Sequence, residues 1–451
     1  MHQRLNEIDL LRGIAVVGMV FSGILPFNGA LPAWMYHAQV PPPAHLFNPS
    51  LPGLTWVDLV FPFFLFSMGA VVPAVFPAAI EKDGLKHTFI KLFKRFILLL
   101  VLAVGSFNFA PLKNTGAGNL ADLVGITAYI GLFLVFFRFP RWLPQRALSL
   151  KISGIFLLSG LVYMKQIYWG GINIQHNDAI LRVLANVSFV GTILWYVSRK
   201  SELFRIGLIF MVLSAYLGDI DKGYLQNFRR WQDPGHLISP YLLKYLILFL
   251  LGTLAGDWLL KKAFIFDKPV FHPDHFILSL VLTTGVLSGL LVRQLPLTLM
   301  TGLLCLSFFF YRQKIKKVVF QGKNQIFYTG IFLLFCGLFM EPFQGGVKKD
   351  PSTLSYFFIT GGIAFVWVYS FLNMELSKLY VFFKPIQRLG QNALMAYFMA
   401  GFLIMPLFNL TGLSEIIQPF TFLILLRAVF VTMIVIGFVS YATKRGVFWK
   451  I

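Results

Sequence analysis

Two histidines and an aspartate stand close together in a stretch free of Lys and Arg: His37, His45 and Asp58, within WMYHAQVPPPAHLFNPSLPGLTWVDLVFPFFLFSMG at residues 34–69. An imidazole is the side chain best suited to move a proton near neutral pH, and it can also accept an acyl group as a nucleophile. A carboxylate beside it can orient the ring and stabilise its protonated form. The bland alternatives are an interfacial histidine that caps backbone groups and an acid that complements the dipole of a helix start. For Asp58 the two readings are compatible. Pro, His and Asn fill the loop, and Asp58 marks the point where a very apolar run begins. This is a polar, titratable lip at the end of an apolar span.

Other residues invite weaker hypotheses. Asp9 and Arg12 are spaced for an i,i+3 ion pair; Arg12 is also a candidate contact for a phosphorylated ligand. Asn119 and Asp122 open one apolar segment, and Asn392 lies near the start of another, in LGQNALMAYF. Polar groups in or near a span suggest function, although Asn also serves as glue between helices. No Walker A loop, G-x-S-x-G elbow or metal-ligand spacing occurs. His272 and His275 in FHPDH read as an ordinary loop, and no metal is expected. Cys305 and Cys336, the only two cysteines, both lie in apolar runs and imply no disulfide framework.

Composition identifies what must position these groups. Of 451 residues, 57% are hydrophobic and 13% charged, and the mean hydropathy is +0.74. Runs such as 55–78 and 420–441 exceed the roughly 20 residues that cross a bilayer. They do not alternate as barrel strands would, so an all-α polytopic membrane protein is predicted. Apolar segments fall at 8–26, 55–78, 89–110, 119–137, 150–164, 179–197, 203–217, 240–259, 275–292, 295–311, 325–341, 354–372, 390–410 and 420–441. The segments at 150–164 and 203–217 are short, and the pair around Arg293–Pro296 is tight enough for a re-entrant hairpin. About 11 to 14 transmembrane helices follow.

Net charge of +21 would suggest nucleic acid in a soluble protein, but here the basic residues alternate by loop. With the N-terminus inside, most of the 39 Lys and Arg fall in inside loops, and Arg182, Lys244 and Arg427 remain within spans or at their ends. Both termini are therefore predicted to be cytoplasmic, and no nucleic-acid partner is expected. The loop holding His37 and His45 then faces outside. His176, Asp178, Asp219, Asp221, Glu341 and Asp350 fall on the same side. No cleavable signal, internal repeat or linker is evident, so residues 1–451 read as one membrane domain.

Four blocks carry a family likeness: RLNEIDLLRGIAVVGMV at the N-terminus, His37–Ala38 followed by GLTWVDLVFPFFLFSMG, GGVKKDPSTLSYFFITGG and LGQNALMAYF. In order and content they resemble the heparan-α-glucosaminide N-acetyltransferase-like family of transmembrane acyltransferases. That resemblance implies acetyl-CoA used from the cytoplasmic side, and an acetyl group delivered across the membrane to a sugar amine or hydroxyl. It also implies a catalytic histidine in the outward loop, carried onto His37 because Ala38 follows it. Asp58 and Asn392 match the family's Asp and Asn. Three features depart from the pattern. QVPPPAHLFNPSLP intervenes between the His-Ala pair and Gly53, which makes His45 a rival catalytic histidine. Ser22 stands where Asn is usual, and the usual Gln-Arg pair is not evident around Asp122.

The resulting expectation is an acyltransferase with His37 (or His45) as base or acyl acceptor and Asp58 orienting it. Arg12 and Asn392 would bind the acyl-CoA co-substrate. Trp34, Tyr36 and Trp56 are expected stacking faces for a sugar or glycan acceptor. A bacterial inner membrane is the expected setting, with the bilayer as partner and a homodimer admitted. A polytopic solute transporter, or an inactive scaffold of the same fold, is the alternative.

Overall fold

The computed structural model describes residues 4–27, 31–110, 118–138, 147–216, 223, 225–261, 273–316, 323–374, 380–417 and 420–449. The predicted spans are realised as helices. In chain order these are α1 (Asn6–Ser22), α2 (Trp56–Asp83), α3 (Leu85–Phe109), α4 (Asn119–Phe136), α5 (Ala147–Tyr168), α6 (Ala179–Ser198) and α7 (Glu202–Tyr216). A short α8 (Gln226–Arg230) and a 3-10 turn (Pro240–Tyr245) lead into α9 (Leu246–Lys261). The chain continues through α10 (Pro273–Leu291), α11 (Leu295–Lys316), α12 (Lys323–Met340), α13 (Leu354–Met374) and α14 (Tyr380–Gln391). Next, α15 (Ala393–Met399), a π-helical turn (Ala400–Ile404) and α16 (Met405–Leu410) form one irregular segment, followed by α17 (Leu413–Ile417) and α18 (Thr421–Lys444).

Among the described residues, 9 helices are long and apolar enough to cross a membrane, with two shorter apolar helices, Leu295–Tyr311 and Gln325–Met340. The protein is an all-α, multi-pass membrane protein. Large apolar side chains such as Phe156, Leu203, Leu304 and Phe422 point outward, as a lipid-facing surface requires. The segment expected to be short, at 150–164, is the 22-residue α5, whereas α7 is short as expected. A tight turn at Arg293 (φ 55°) joins the helices α10 and α11. The basic loop expected before Asn392 contains α14, whose single apolar face hid it from a search for long apolar runs.

Close helix contacts bring the two halves of the chain together. On α2 and α9, a Cβ at Gly69, Gly252 or Gly256 would lie 2.0–2.1 Å from a carbonyl oxygen of the facing helix, so only glycine permits this approach. Gly13 and Gly390 do the same between α1 and α14. α13 is buried along nearly its whole length and forms the core.

Both ends of the chain lie on one face. Gln387 of α14 donates to Asn6 at the start of α1 at 2.7 Å. Beyond α18, Phe448–Trp449 pairs antiparallel with Phe137–Arg138 at the end of α4. This agrees with the charge pattern, which puts both termini inside. The loop after α1 therefore reaches the opposite face, where α2 begins.

Candidate functional site

At that face Asp58 sits in the first turn of α2 and is 2% exposed. Its Oδ2 accepts from the Thr55 and Ala38 amides, each at 3.1 Å, and lies 3.2 Å from the Thr55 hydroxyl, whose closer acceptor is the Tyr36 carbonyl at 2.7 Å. This capping arrangement satisfies helix-start donors that otherwise lack partners and draws the 37–38 backbone onto the helix. Oδ1 remains for His37, whose Nδ1 lies 2.7 Å away. With Nδ1–H donating to the carboxylate, Nε2 is the basic nitrogen, and the ring is 39% exposed at the lip.

Lys349, which sequence reasoning did not single out, completes the group. Its Nζ lies 3.2 Å from His37 Nδ1 and 3.8 Å from Asp58 Oδ1. Since Nδ1 donates to Asp58, Lys349 acts through its charge rather than as a second donor to the ring. Burial pushes its ammonium below the usual value, opposed by Asp58 and Asp350. Gln39 fixes Lys349's loop: its amide donates to the Asp350 carbonyl at 2.6 Å and accepts from the Asp350 amide at 3.0 Å. Gly53 adds a backbone bond to Val347 at 2.8 Å. The inserted stretch after Ala38 is thus what clamps the two outer loops together.

The rival histidine is placed differently. His45 packs edge-on against Tyr36 (4.4 Å between centroids) and Phe27 (5.2 Å), in a left-handed backbone conformation at φ 49°. The geometry therefore distinguishes the two: His37 has the carboxylate, and His45 belongs to an aromatic cluster. Of the expected stacking faces, Trp34 is exposed, Trp56 packs on Phe21, and Tyr36 is buried, its hydroxyl donating to the Pro26 carbonyl. Tyr36 is thus unavailable for stacking because its ring holds the loop. Ser22, where the resemblance expects Asn, turns its hydroxyl back on the Met19 carbonyl.

Arg12 lies near the opposite face. It pairs with Asp9 at 3.7 Å, as the spacing suggested, and Asp9 also pairs with Arg4 at 2.9 Å. Its guanidinium donates to the carbonyls of Gly390 and Ser67 and lines a cavity of about 500 Å³. Lys91 and Arg95 of α3 line the same cavity, and Arg12 and Arg95 are close enough to repel each other. Two repelling guanidiniums beside a lysine make a pocket suited to phosphate. Asn392 is not on the cavity wall, although Gln391 and Ala393 are. Its side chain is 1% exposed, donating to the Val447 carbonyl and accepting from the Trp449 amide, each at 3.0 Å. Its geometry is that of a clamp on the C-terminal strand.

A constriction of about 10 Å³ follows the basic cavity and shares Phe64, Ala393 and Leu394 with it. It shares Met19 and Tyr397 with a cavity of about 720 Å³ at the other face. The small space thus adjoins both larger cavities. His37 and Asp58 are not on the wall of the outer cavity, but Pro26 and Phe27 are, and Tyr36 grips both. Asp219, Asp221 and His272 lie outside the described residues, and His275 packs in α10 against Phe309 and Tyr369.

Fold and site together define a multi-pass helical membrane protein with a carboxylate-held histidine at one face and a basic cavity near the other. The chain belongs to the family described as a domain of unknown function, DUF5009, whose model matches residues 4–259. That region covers α1 through most of α9, and hence His37, Asp58, Arg12 and Arg95, but not Lys349. No curated protein matches the chain.

Proposed function

We propose that the protein is a transmembrane acyltransferase. It takes an acetyl or similar acyl group from acyl-CoA on the cytoplasmic face and passes it to a hydroxyl or amine of a sugar or glycan on the outer face. The observation that carries this reading is the His37–Asp58 pair at 2.7 Å, with the imidazole 39% exposed. The basic cavity and the small space adjoining it support acyl-CoA as donor. The four-block family resemblance supports the reaction class.

In the transfer, Nε2 takes the acceptor's proton as its oxygen or nitrogen bonds to the acyl carbon. The C–S bond breaks, and the departing thiolate receives that proton from the imidazolium. Asp58 holds the ring in the productive tautomer and stabilises the imidazolium while it lasts. Lys349 opposes charging of the ring and so favours proton return. Arg12, Lys91 and Arg95 bind the phosphates of CoA.

The test uses proteoliposomes supplied with radiolabelled acetyl-CoA and a membrane extract as acceptor source. Wild type is expected to move label into a product other than CoA, and H37A to do so roughly 10²–10⁴-fold more slowly. Undiminished transfer by a protein lacking both His37 and His45 would refute the mechanism. The adjoining cavities also suit a solute transporter. Saturable flux of a solute, unaffected by H37A and with no labelled product, would favour that reading.

A further inference from the structure

Of the three basic residues that the charge pattern leaves within spans, two have structural partners. Arg182 donates to the His236 carbonyl at 2.8 Å, and Lys244 lies 3.8 Å over the Tyr241 ring. Arg427 differs. It lies on α18, within the span Thr421–Lys444; its Nε, like that of Arg182, is buried with no hydrogen-bond partner, but among the described residues the rest of its guanidinium has no hydrogen bond or ion pair to stand in for that of Arg182. It lines the outer cavity of about 720 Å³. Two acids share that wall, but their partners are other groups. Asp122 accepts from Asn409 at 3.0 Å, and Asp178 accepts from the Tyr397 hydroxyl at 2.6 Å and the Leu181 amide at 2.9 Å. Neither forms an ion pair with Arg427 among the described residues. A guanidinium inside a membrane span is costly without an anion to meet it.

The rest of the wall indicates what carries that anion. It is mostly apolar, with Ile24, Phe402, Met405 and Ile424 among its residues, and its polar groups are few. The π-helical turn Ala400–Ile404 interrupts the α15–α16 wall here, and such turns recur at functional sites. We propose that this cavity seats a membrane amphiphile whose headgroup carries a phosphate together with hydroxyl or amino groups. Arg427 binds the phosphate, Asp122 and Asp178 accept from the hydroxyl or amino groups, and the apolar wall takes the chain. A headgroup leaving the cavity passes Pro26 and Phe27, the rim that Tyr36 joins to His37. On the acyl-transfer reading above, the seated lipid is then the acceptor. The binding itself does not depend on that reading.

The test uses the full chain, purified in detergent and stripped of lipid, without acyl-CoA. Affinity is measured by native mass spectrometry, and the thermal midpoint by unfolding. The probes are dioleoyl phosphatidic acid, dioleoylglycerol with the same chains and no phosphate, and glycerol 3-phosphate with no chains. Phosphatidic acid is expected to bind and raise the midpoint, and the other two to do so at least about tenfold more weakly. R427Q is expected to lose that tenfold preference, R427K to keep most of it, and K200Q, on the wall of neither cavity, to leave it unchanged. If R427Q does not fold, G401F decides instead: it puts a ring into the same cavity, where nothing lies within 4 Å of an added Cβ, it is expected to lose binding of phosphatidic acid, and undiminished binding would overturn the proposal. Equal binding of dioleoylglycerol, or an R427Q protein that still prefers phosphatidic acid, would overturn the proposal. Binding of glycerol 3-phosphate as tight as that of the lipid would overturn the lipid assignment. Because acyl-CoA is absent, a failure here leaves the acyl-transfer reading standing, and a failed transfer assay leaves this one standing.

Discussion

One carboxylate does two jobs at the outer lip. Oδ2 of Asp58 closes the first turn of α2, and Oδ1 holds His37. The two can be separated by mutation. T55V removes a hydroxyl that donates to the Tyr36 carbonyl at 2.7 Å and lies 3.2 Å from Asp58 Oδ2, and should cost about 1 kcal/mol of stability with little change in kcat. D58N should lower kcat by roughly 10²–10⁴-fold, since the ring loses its tautomer and its counter-charge. Equal kcat losses in the two variants, measured on folded protein, would mean that Asp58 serves only the helix. Lys349 gives a pH signature. Its ammonium titrates lower in the folded protein than the 10.5 of an unfolded lysine. The unfolded state therefore binds more protons between those values, and stability rises with pH across that window. Thermal midpoints measured as the pH approaches 10.5 from below should show this slope in wild type and a weaker one in K349M. At this scale the sequence was legible where partners are near in the chain. His37 and Asp58 are 21 residues apart, whereas Lys349 is 312 residues from His37, and no periodicity or spacing reports such a contact. Asn392 was legible as a polar residue in need of partners but not as a clamp, because its partners belong to the C-terminal strand.

Among the elements, α2 is fixed from both ends: its start by the capping acid, its middle by α9. Gly252 and Gly256 on α9 let the two backbones touch. G256L places a side chain against the Ala70 carbonyl, which costs about 1–3 kcal/mol when a packed interface is overfilled. The expected outcome is a thermal midpoint several degrees lower, read in detergent, with G105L as the comparison because nothing lies within 4 Å of a Cβ there. Equal effects of the two would show that close α2–α9 packing is not required. The spans were legible because lipid demands long apolar runs. α14 was not, because it buries one face and carries Lys384 and Arg388 in a single short helix. The inserted loop suggested a rival histidine, yet its structural contribution is Gln39, whose two bonds to Asp350 mimic a backbone pair and leave no mark in sequence.

For the whole molecule, charge alone predicted that both chain ends share a face and that the His37 loop lies opposite. The fold agrees through the pairing of Phe448–Trp449 with Phe137–Arg138 and the joining of α14 to α1. The cavities were not legible, since their walls combine α1, α2, α3, α15 and α18, helices that the sequence gives no means of assembling. The proposed function puts the donor at the face with Arg12 and Arg95, and the chemistry at the face with His37. Titration calorimetry of acetyl-CoA into the purified protein tests this division most directly. Wild type and H37A should bind alike, because His37 acts after the donor is seated, and R95Q should bind roughly tenfold more weakly or worse, having lost a charged phosphate contact. Failure of demonstrably folded wild type to bind acetyl-CoA, or R95Q binding as tightly as wild type, would contradict the account.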